Sequence, residues 1–299
     1  MDSSFNNKKK FSRVAIGTAQ FGLDYGISNT HGRISATEID KILSQALTLG
    51  IDTLDTAKLY GKSEEAIGLS ESDAFKVITK IPAIPENTGD VTLWIHEQLK
   101  NSLHLLKRKN IHGLLLHRPE QLTTVNGKKI CSALLELKQA GVIQKIGVSI
   151  YSPEEIPKIL EHITPDIIQL PFNILDQRFA QSGDMTKLHH MGIEVHVRSL
   201  FLQGLLLMPL KRLPLYFKPW HSFFYEWHYW LQEKNITPLE ACISFAASFP
   251  EISKFIIGLE SSNQLCEIAS AFNKQPFVTP DNFSSSDINL INPALWNIK

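Results

Sequence analysis

Long apolar runs are missing from this sequence, and none of its segments is apolar for the length needed to span a bilayer. Cysteine is scarce. Cys131, Cys242 and Cys266 are the only three. An odd count excludes a fully paired disulfide framework, and their scatter excludes the close spacing of a zinc site. They read as idle thiols in a reducing cytoplasm, where the chain is expected to reside. An excess of either charge is lacking too, because 30 Lys and Arg balance 30 Asp and Glu. Nothing global steers the chain to nucleic acid or to an anionic membrane. The opening "MDSSFNNKKKFSR" has no apolar segment behind it, so it does not read as a secretory signal. Lys8, Lys9 and Lys10 read as part of a solvated tail. Finally, no G-x-G-x-x-G pattern follows the first apolar run, which speaks against an open dinucleotide-binding sheet.

What is present is ordinary globular composition, 43% hydrophobic and 20% charged. That supplies a sizeable core without staples. Short runs rich in Val, Ile and Leu recur along the chain. They are "VAIGTA" from Val14, "IDTLDTA" from Ile51, "KVITKI" from Lys76, "GLLLH" from Gly113, "KIGVSI" from Lys145, "DIIQLPF" from Asp166, "EVHVRS" from Glu194 and "KFIIGL" from Lys254. Amphipathic segments separate them. In "SATEIDKILSQALTLG", Ile39, Ile42, Leu43, Ala46 and Leu49 share one face, and "ALLELKQAG" closes on Gly141 as a helix-ending glycine. Apolar strands alternating with helices predict a parallel sheet covered by helices. Eight such units in about 250 residues fit a (β/α)8 TIM barrel. The competing architecture is a doubly wound open sheet. The expectation is one domain over residues 1–299, with loosely held tails at 1–12 and about 275–299. The C-terminal tail either folds across the barrel rim or stays free.

Active sites of such barrels sit at the carboxyl ends of the strands. The stretch "GIDTLDTAKLYGKSEEAIG", residues 50–68, reads as a strand ending at Asp55, then a loop with Tyr60, then a helix capped by Ser63 with two acids in its first turn. The next strand ends in Lys80 and the one after in His117. Singly, each residue has a structural explanation: a cap, a packed loop aromatic, a solvated strand end, a satisfied histidine. Three consecutive strands delivering ionisable groups to one rim point instead to chemistry. A tyrosine hydroxyl with its ordinary pKa of ~10 is a weak acid. A neighbouring ammonium favours its phenolate and lowers that pKa. An aspartate paired to the lysine keeps the lysine charged, and at a wet rim the lysine would hold its charge even alone. A histidine beside them can orient a carbonyl. Such a tyrosine can protonate a carbonyl oxygen while hydride reaches the carbon. The hydride must come from a nicotinamide cofactor.

These residues resemble the aldo-keto reductases, a family of (β/α)8 NAD(P)H-dependent oxidoreductases with an Asp, Tyr, Lys, His tetrad. The D-T-A-x-x-Y-G-x-S-E pattern is matched from Asp55 to Glu64, and the resemblance runs from Val14 to about Phe272. "GTAQFGLDYGI" and "VRSLFLQGLLL" resemble a bacterial branch often linked to unusual-sugar metabolism. The resemblance implies that Ser149 and Gln169 hold the nicotinamide carboxamide. Ile150 stands where the family usually has asparagine, with Asn173 as a substitute. It implies that Arg198 takes the place of a tyrosine that stacks on the nicotinamide, followed by Ser199. Gly204 should approach the pyrophosphate, and Gly17 and Thr18 should lie near the nicotinamide ribose.

The resemblance also puts the adenosine end after the eighth strand. From Gly258 to Ala271 there is no Lys or Arg; Glu260, Ser261, Ser262, Asn263 and Gln264 stand there instead. The family argues for NADP(H) and the residues for NAD(H), so dual use within about tenfold is expected. Glu260 would repel a 2′-phosphate and accept from a bare ribose hydroxyl. In "PLYFKPWHSFFYEWHYW", Phe223, Trp227 and Trp230 share a helical face and should pack, whereas Tyr216, Phe217 and Trp220 are lid candidates. The expected substrate is a small aldehyde or ketone, sugar-derived first, with no metal. Two other readings stay open: a non-catalytic nucleotide-binding subunit, and an aldolase-type enzyme forming a Schiff base on Lys80.

Overall fold

A computed structural model describes residues 11–29, 32–274 and 283–298. The eight apolar runs become β1 (Val14–Gly17), β2 (Thr53–Asp55), β3 (Lys76–Ile81), β4 (Ile111–Leu116), β5 (Ile143–Ser149), β6 (Ile167–Pro171), β7 (Glu194–Arg198) and β8 (Ile252–Gly258). Each pairs in parallel with the next, and β8 returns to β1, so the sheet is a closed barrel. The open doubly wound sheet is excluded. Strands covered on both faces must be apolar almost throughout, and β6, for example, is buried at every position.

The register sets the levels of the rim. Gly17 pairs with Asp55 on one side and with Gly258 on the other. Ser149 pairs with Gln169, and Pro171 with Arg198. Residues at the strands' carboxyl ends therefore meet around one mouth.

The helix Ala36–Leu49 begins at Ser35, whose hydroxyl accepts from the Glu38 N–H, and ends at left-handed Gly50. Ile39, Ile42, Leu43 and Ala46 are buried on the predicted face. Gly141 follows the helix Gly127–Gln139 at φ +70°, where a glycine costs least.

Ser63 does not cap its helix. Lys62 holds that position, and the Ser63 hydroxyl donates to the Thr18 main-chain oxygen at 2.8 Å and lies 3.0 Å from Thr56 Oγ1. It ties the Tyr60 loop to the end of β1.

The aromatic segment also departs in part from expectation. Trp227 and Phe224 are buried in the helix His221–Lys234, and Trp230 stacks on Trp227 with centroids 5.5 Å apart. Phe223 packs edge-on to Phe224, as a packing role requires. The lid candidates are not a lid. Phe217 is fully buried, the Tyr216 hydroxyl donates to Asn289 O, and Trp220 Nε1 donates to Asp287 Oδ2. They clamp the C-terminal segment, whose Phe283, Leu290 and Ile291 are buried and whose Trp296 packs edge-on to Phe217. Residues 283–298 are thus docked rather than loose. Phe11 is likewise buried, edge-on to Phe272. The rest of both expected tails, residues 1–10, 275–282 and 299, lies outside the described residues. Among the described residues, no helix is long and apolar enough to cross a membrane.

Candidate active site

Asp55 ends β2, and Lys80 lies two residues beyond its register partner Ile78 on β3. Their side chains meet: Lys80 Nζ donates to Asp55 Oδ1 at 2.6 Å and to Thr56 O at 2.9 Å. Tyr60 follows in a tight turn, its N–H bonded to Ala57 O and its C=O to the Ser63 N–H. The Lys80 ammonium lies 5.1 Å from the Tyr60 ring centroid. The His117 ring stands edge-on to Tyr60, with centroids 6.3 Å apart. The four predicted residues are therefore brought together. Asp55, Tyr60 and His117 line a cavity of about 400 Å³ at the strands' carboxyl ends.

Two electrostatic expectations need correction. The lysine is not at a wet rim: Lys80 has no exposed surface. Burial lowers its pKa, and the Asp55 carboxylate opposes that shift. Nor is the Tyr60 phenol more acidic than usual. Burial raises its pKa and the Asp55 charge adds to the effect, while Arg198 pulls the other way. Burial dominates, and the Lys80 ammonium, paired with a carboxylate at 2.6 Å, does not reverse it in the resting phenol. His117 is pushed down to about 3, chiefly by burial and then by Lys80, Arg198 and Arg118. Its ring is neutral at physiological pH, and its Nδ1 is buried without a partner among the described residues. Lys80 is off the cavity wall and ion-paired, so it cannot meet a carbonyl, and the Schiff-base alternative fails.

The same cavity is walled by Gly17, Thr18, Gln169, Arg198, Ser199, Gly204, Gly258, Glu260 and Gln264. Ser149 and Ser262 were predicted for this wall and are not on it among the described residues. Ser149 is buried beside Gln169 in the sheet register. Gln169 Nε2 donates to Asp55 Oδ2 at 2.8 Å, and its Oε1 is buried with no hydrogen-bond partner among the described residues. That free acceptor suits the N–H of a carboxamide, so the residues present fit a nicotinamide. Asn173 cannot replace the missing asparagine after Ser149. Its amide donates to Ser199 O, its oxygen accepts from Leu175 and Asp176 N–H, and it is off the wall. Arg198 lies on the Tyr151 ring, with Cζ 4.4 Å from the centroid, and donates from Nη2 to Ile150 O. Gly204 lines the cavity at φ +89° and also packs against the Ser28 side chain, which a Cβ there would meet.

Comparison with known proteins agrees with this geometry. The model of the aldo/keto reductase family matches residues 13–287. The chain belongs to that family. It is 28% identical over 206 residues to an L-glyceraldehyde 3-phosphate reductase of Escherichia coli K12, covering 62% of this chain and 59% of the relative. It is 30% identical over 187 residues to the aldo-keto reductase YhdN of Bacillus subtilis, covering 57% and 53%. It is also 28% identical over 140 residues to a methylglyoxal reductase of Salmonella typhi, covering 42% and 49%. The aligned regions thus span less than two thirds of these relatives. Its fold matches an aldo-keto reductase of Bacillus halodurans in its holo form, with TM-score 0.67 and 22% identity, over 89% of this chain and 88% of that one.

This family member carries further site residues that its sequence did not single out. Gln20 lines the cavity beside Gly258, and its Oε1 is a second buried acceptor without a partner among the described residues. Tyr25 lines it too, its hydroxyl accepting from Gln203 Nε2. Both lie near "GTAQFG", so a closer reading of that stretch could have found them. Off the wall, Glu38 of the helix Ala36–Leu49 accepts from the Ser262 N–H and hydroxyl, both at 2.7 Å. Those two donors hold its carboxyl below the usual carboxylate range. No sequence signal links residues so far apart.

Gly22 is a positioning residue. A Cβ built on it would lie 1.9 Å from Tyr60 O and 2.4 Å from Ser63 N, both main-chain atoms. Gly22→Ala must therefore displace the Tyr60 turn. It is expected to cost about 1–3 kcal/mol of stability as overpacking and to lower kcat/KM at least about tenfold through misplacement of the tyrosine. Urea unfolding and steady-state kinetics on one preparation check this. A variant unchanged in both would mean that the turn is not seated against Gly22.

Proposed function

We propose that this aldo/keto reductase reduces the carbonyl of a small oxygenated aldehyde or ketone, a sugar-derived one first, with Tyr60 as the proton donor. The observation that carries the reading is Tyr60 and neutral His117 facing one cavity above the buried Lys80–Asp55 pair, with the free acceptor of Gln169 on the same wall. A bound nicotinamide supplies the hydride. His117 donates a hydrogen bond to the carbonyl oxygen, and a neutral ring does so without competing as an acid. Tyr60 gives its proton to the same oxygen, and the product is an alcohol. Lys80 then lies beside the tyrosinate that forms. Its charge matters most at that moment, because the phenol begins from a raised pKa. The similarity to an L-glyceraldehyde 3-phosphate reductase and to a methylglyoxal reductase supports small oxygenated substrates. Mixing the protein with reduced nicotinamide cofactor and a panel of such aldehydes tests the reading by loss of absorbance. Cofactor fluorescence quenching with no oxidation would favour the non-catalytic nucleotide-binding reading.

For the cofactor we propose a preference for NADH. From sequence alone the two cofactors were evenly balanced. Glu38 tips the balance, because its carboxylate already engages the Ser262 donors at the start of the helix Ser262–Asn273. Free N–H groups at a helix start are what a 2′-phosphate would use. Glu260 and Glu267 on the neighbouring wall add negative charge. Glu38→Ala is expected to shift the ratio of the NADPH and NADH dissociation constants about tenfold toward NADPH, or ~1.4 kcal/mol. Fluorescence titrations at one salt concentration measure it. An unchanged ratio would mean that the phosphate is held elsewhere.

A further inference from the structure

The charges on the cavity wall are unevenly placed. Asp55 lies at the deep end, but Lys80 neutralises it from beneath. Glu260 and Glu267 lie beyond the end of β8. Among the described residues, Arg198 is the only lysine or arginine on the wall. It is partly buried at the end of β7, and no carboxylate among the described residues pairs with it.

The guanidinium is also held in place. One face rests on the Tyr151 ring, and Nη2 donates to Ile150 O at 3.1 Å. A guanidinium has five N–H donors in a rigid fork. The single described bond leaves most of them for something else. Desolvating a cation without a counter-ion is costly, and a planar fork matches carboxylate or phosphate oxygens. Arg198 also belongs to the reaction chamber. Its charge is felt at Tyr60, His117 and Tyr25, all three on the same wall.

We infer that the substrate carries an anionic group, a carboxylate or a phosphate, which the Arg198 guanidinium binds beside Tyr151 while its carbonyl meets Tyr60 and His117. The inference rests on the carbonyl-reduction reading and narrows its substrate class. It also gives Arg198 a task that a stacking tyrosine could not perform.

The test compares matched aldehydes with and without an anion: succinic semialdehyde against butanal, and glyceraldehyde 3-phosphate against glyceraldehyde. The first pair reports on carboxylate and the second on phosphate. In at least one pair the anionic member should have a kcat/KM about tenfold or more above its neutral partner. Arg198→Gln should collapse that ratio to near unity, and Arg198→Lys should retain part of it as a point charge without the fork. Equal values within both pairs, with reduction proceeding, would overturn the inference and leave the reductase reading standing. If none of the four aldehydes is reduced, the reductase reading fails, and calorimetry then decides the site. Succinate or glycerol 3-phosphate should bind the NADH-loaded protein where glycerol does not, and Arg198→Gln should abolish that binding. Failure of both anions to bind overturns the inference. So does a ratio unchanged by Arg198→Gln alongside a weakened NADH dissociation constant, which would assign the arginine to the cofactor's phosphates.

Discussion

Tyr60→Phe is expected to lower kcat/KM by ~10²-fold or more, the usual loss on removing a general acid. The ring stays, so its edge contact with His117 and the nearby Lys80 ammonium are kept. Only the hydroxyl is lost. NADH affinity should change little, because the predicted carboxamide and ribose contacts lie on other strands. His117 cannot take over as the acid. Burial and nearby cations hold it at about 3, so its ring has no proton to spare at neutral pH. For the same reason, the wild-type rate should show no break near the ordinary histidine pKa of ~6.5. Steady-state kinetics with a reducible aldehyde and a fluorescence titration with NADH check both parts. A variant with near-normal turnover would reduce Tyr60 to a packing residue and remove the proposed mechanism.

The barrel and the four-residue cluster were legible in the sequence for one physical reason. Strands covered on both faces read as continuous apolar runs, and a polar residue at the end of such a run has no place but the rim. Asp55, Lys80 and His117 stood out that way. What was not legible depends on neighbours distant in the chain. The depth of Lys80 and the direction of the Tyr60 shift are set by what packs over them. Ser63 has the look of a cap, yet its hydroxyl is claimed by Thr18, 45 residues earlier. Glu38 meets Ser262 across 224 residues. Tyr216, Phe217 and Trp220 had the composition of a lid, but the C-terminal segment they hold comes from the far end of the sequence. Asn173 failed as a substitute because its own loop uses both ends of its amide.

Lys80→Met and Asp55→Asn should both impair the enzyme, with different pH signatures. Lys80→Met removes one partner of a buried pair whose side chains are 0% and 3% exposed. It leaves the Asp55 carboxylate with only Gln169 Nε2 as a described donor. Breaking a buried pair from one side costs about 3–5 kcal/mol of stability. Activity should fall as well, because nothing then offsets the tyrosinate formed when Tyr60 gives up its proton. That loss should appear at every pH. Asp55→Asn keeps the volume and an acceptor for Lys80 but removes the charge. Burial already lowers the Lys80 pKa and Asp55 is what opposes it, so the variant's lysine should lose its proton at a lower pH than in the wild type. Because the charged form is the low-pH form, Asp55→Asn should retain activity on the acidic side and lose it earlier as pH rises. A lysine at a wet rim would keep its charge without Asp55, whereas the buried one keeps it only at low pH. Thermal unfolding, with kcat/KM measured across pH for both variants, separates these effects. An Asp55→Asn enzyme less active than Lys80→Met at every pH would show that the carboxylate acts on the substrate or cofactor itself rather than through the lysine.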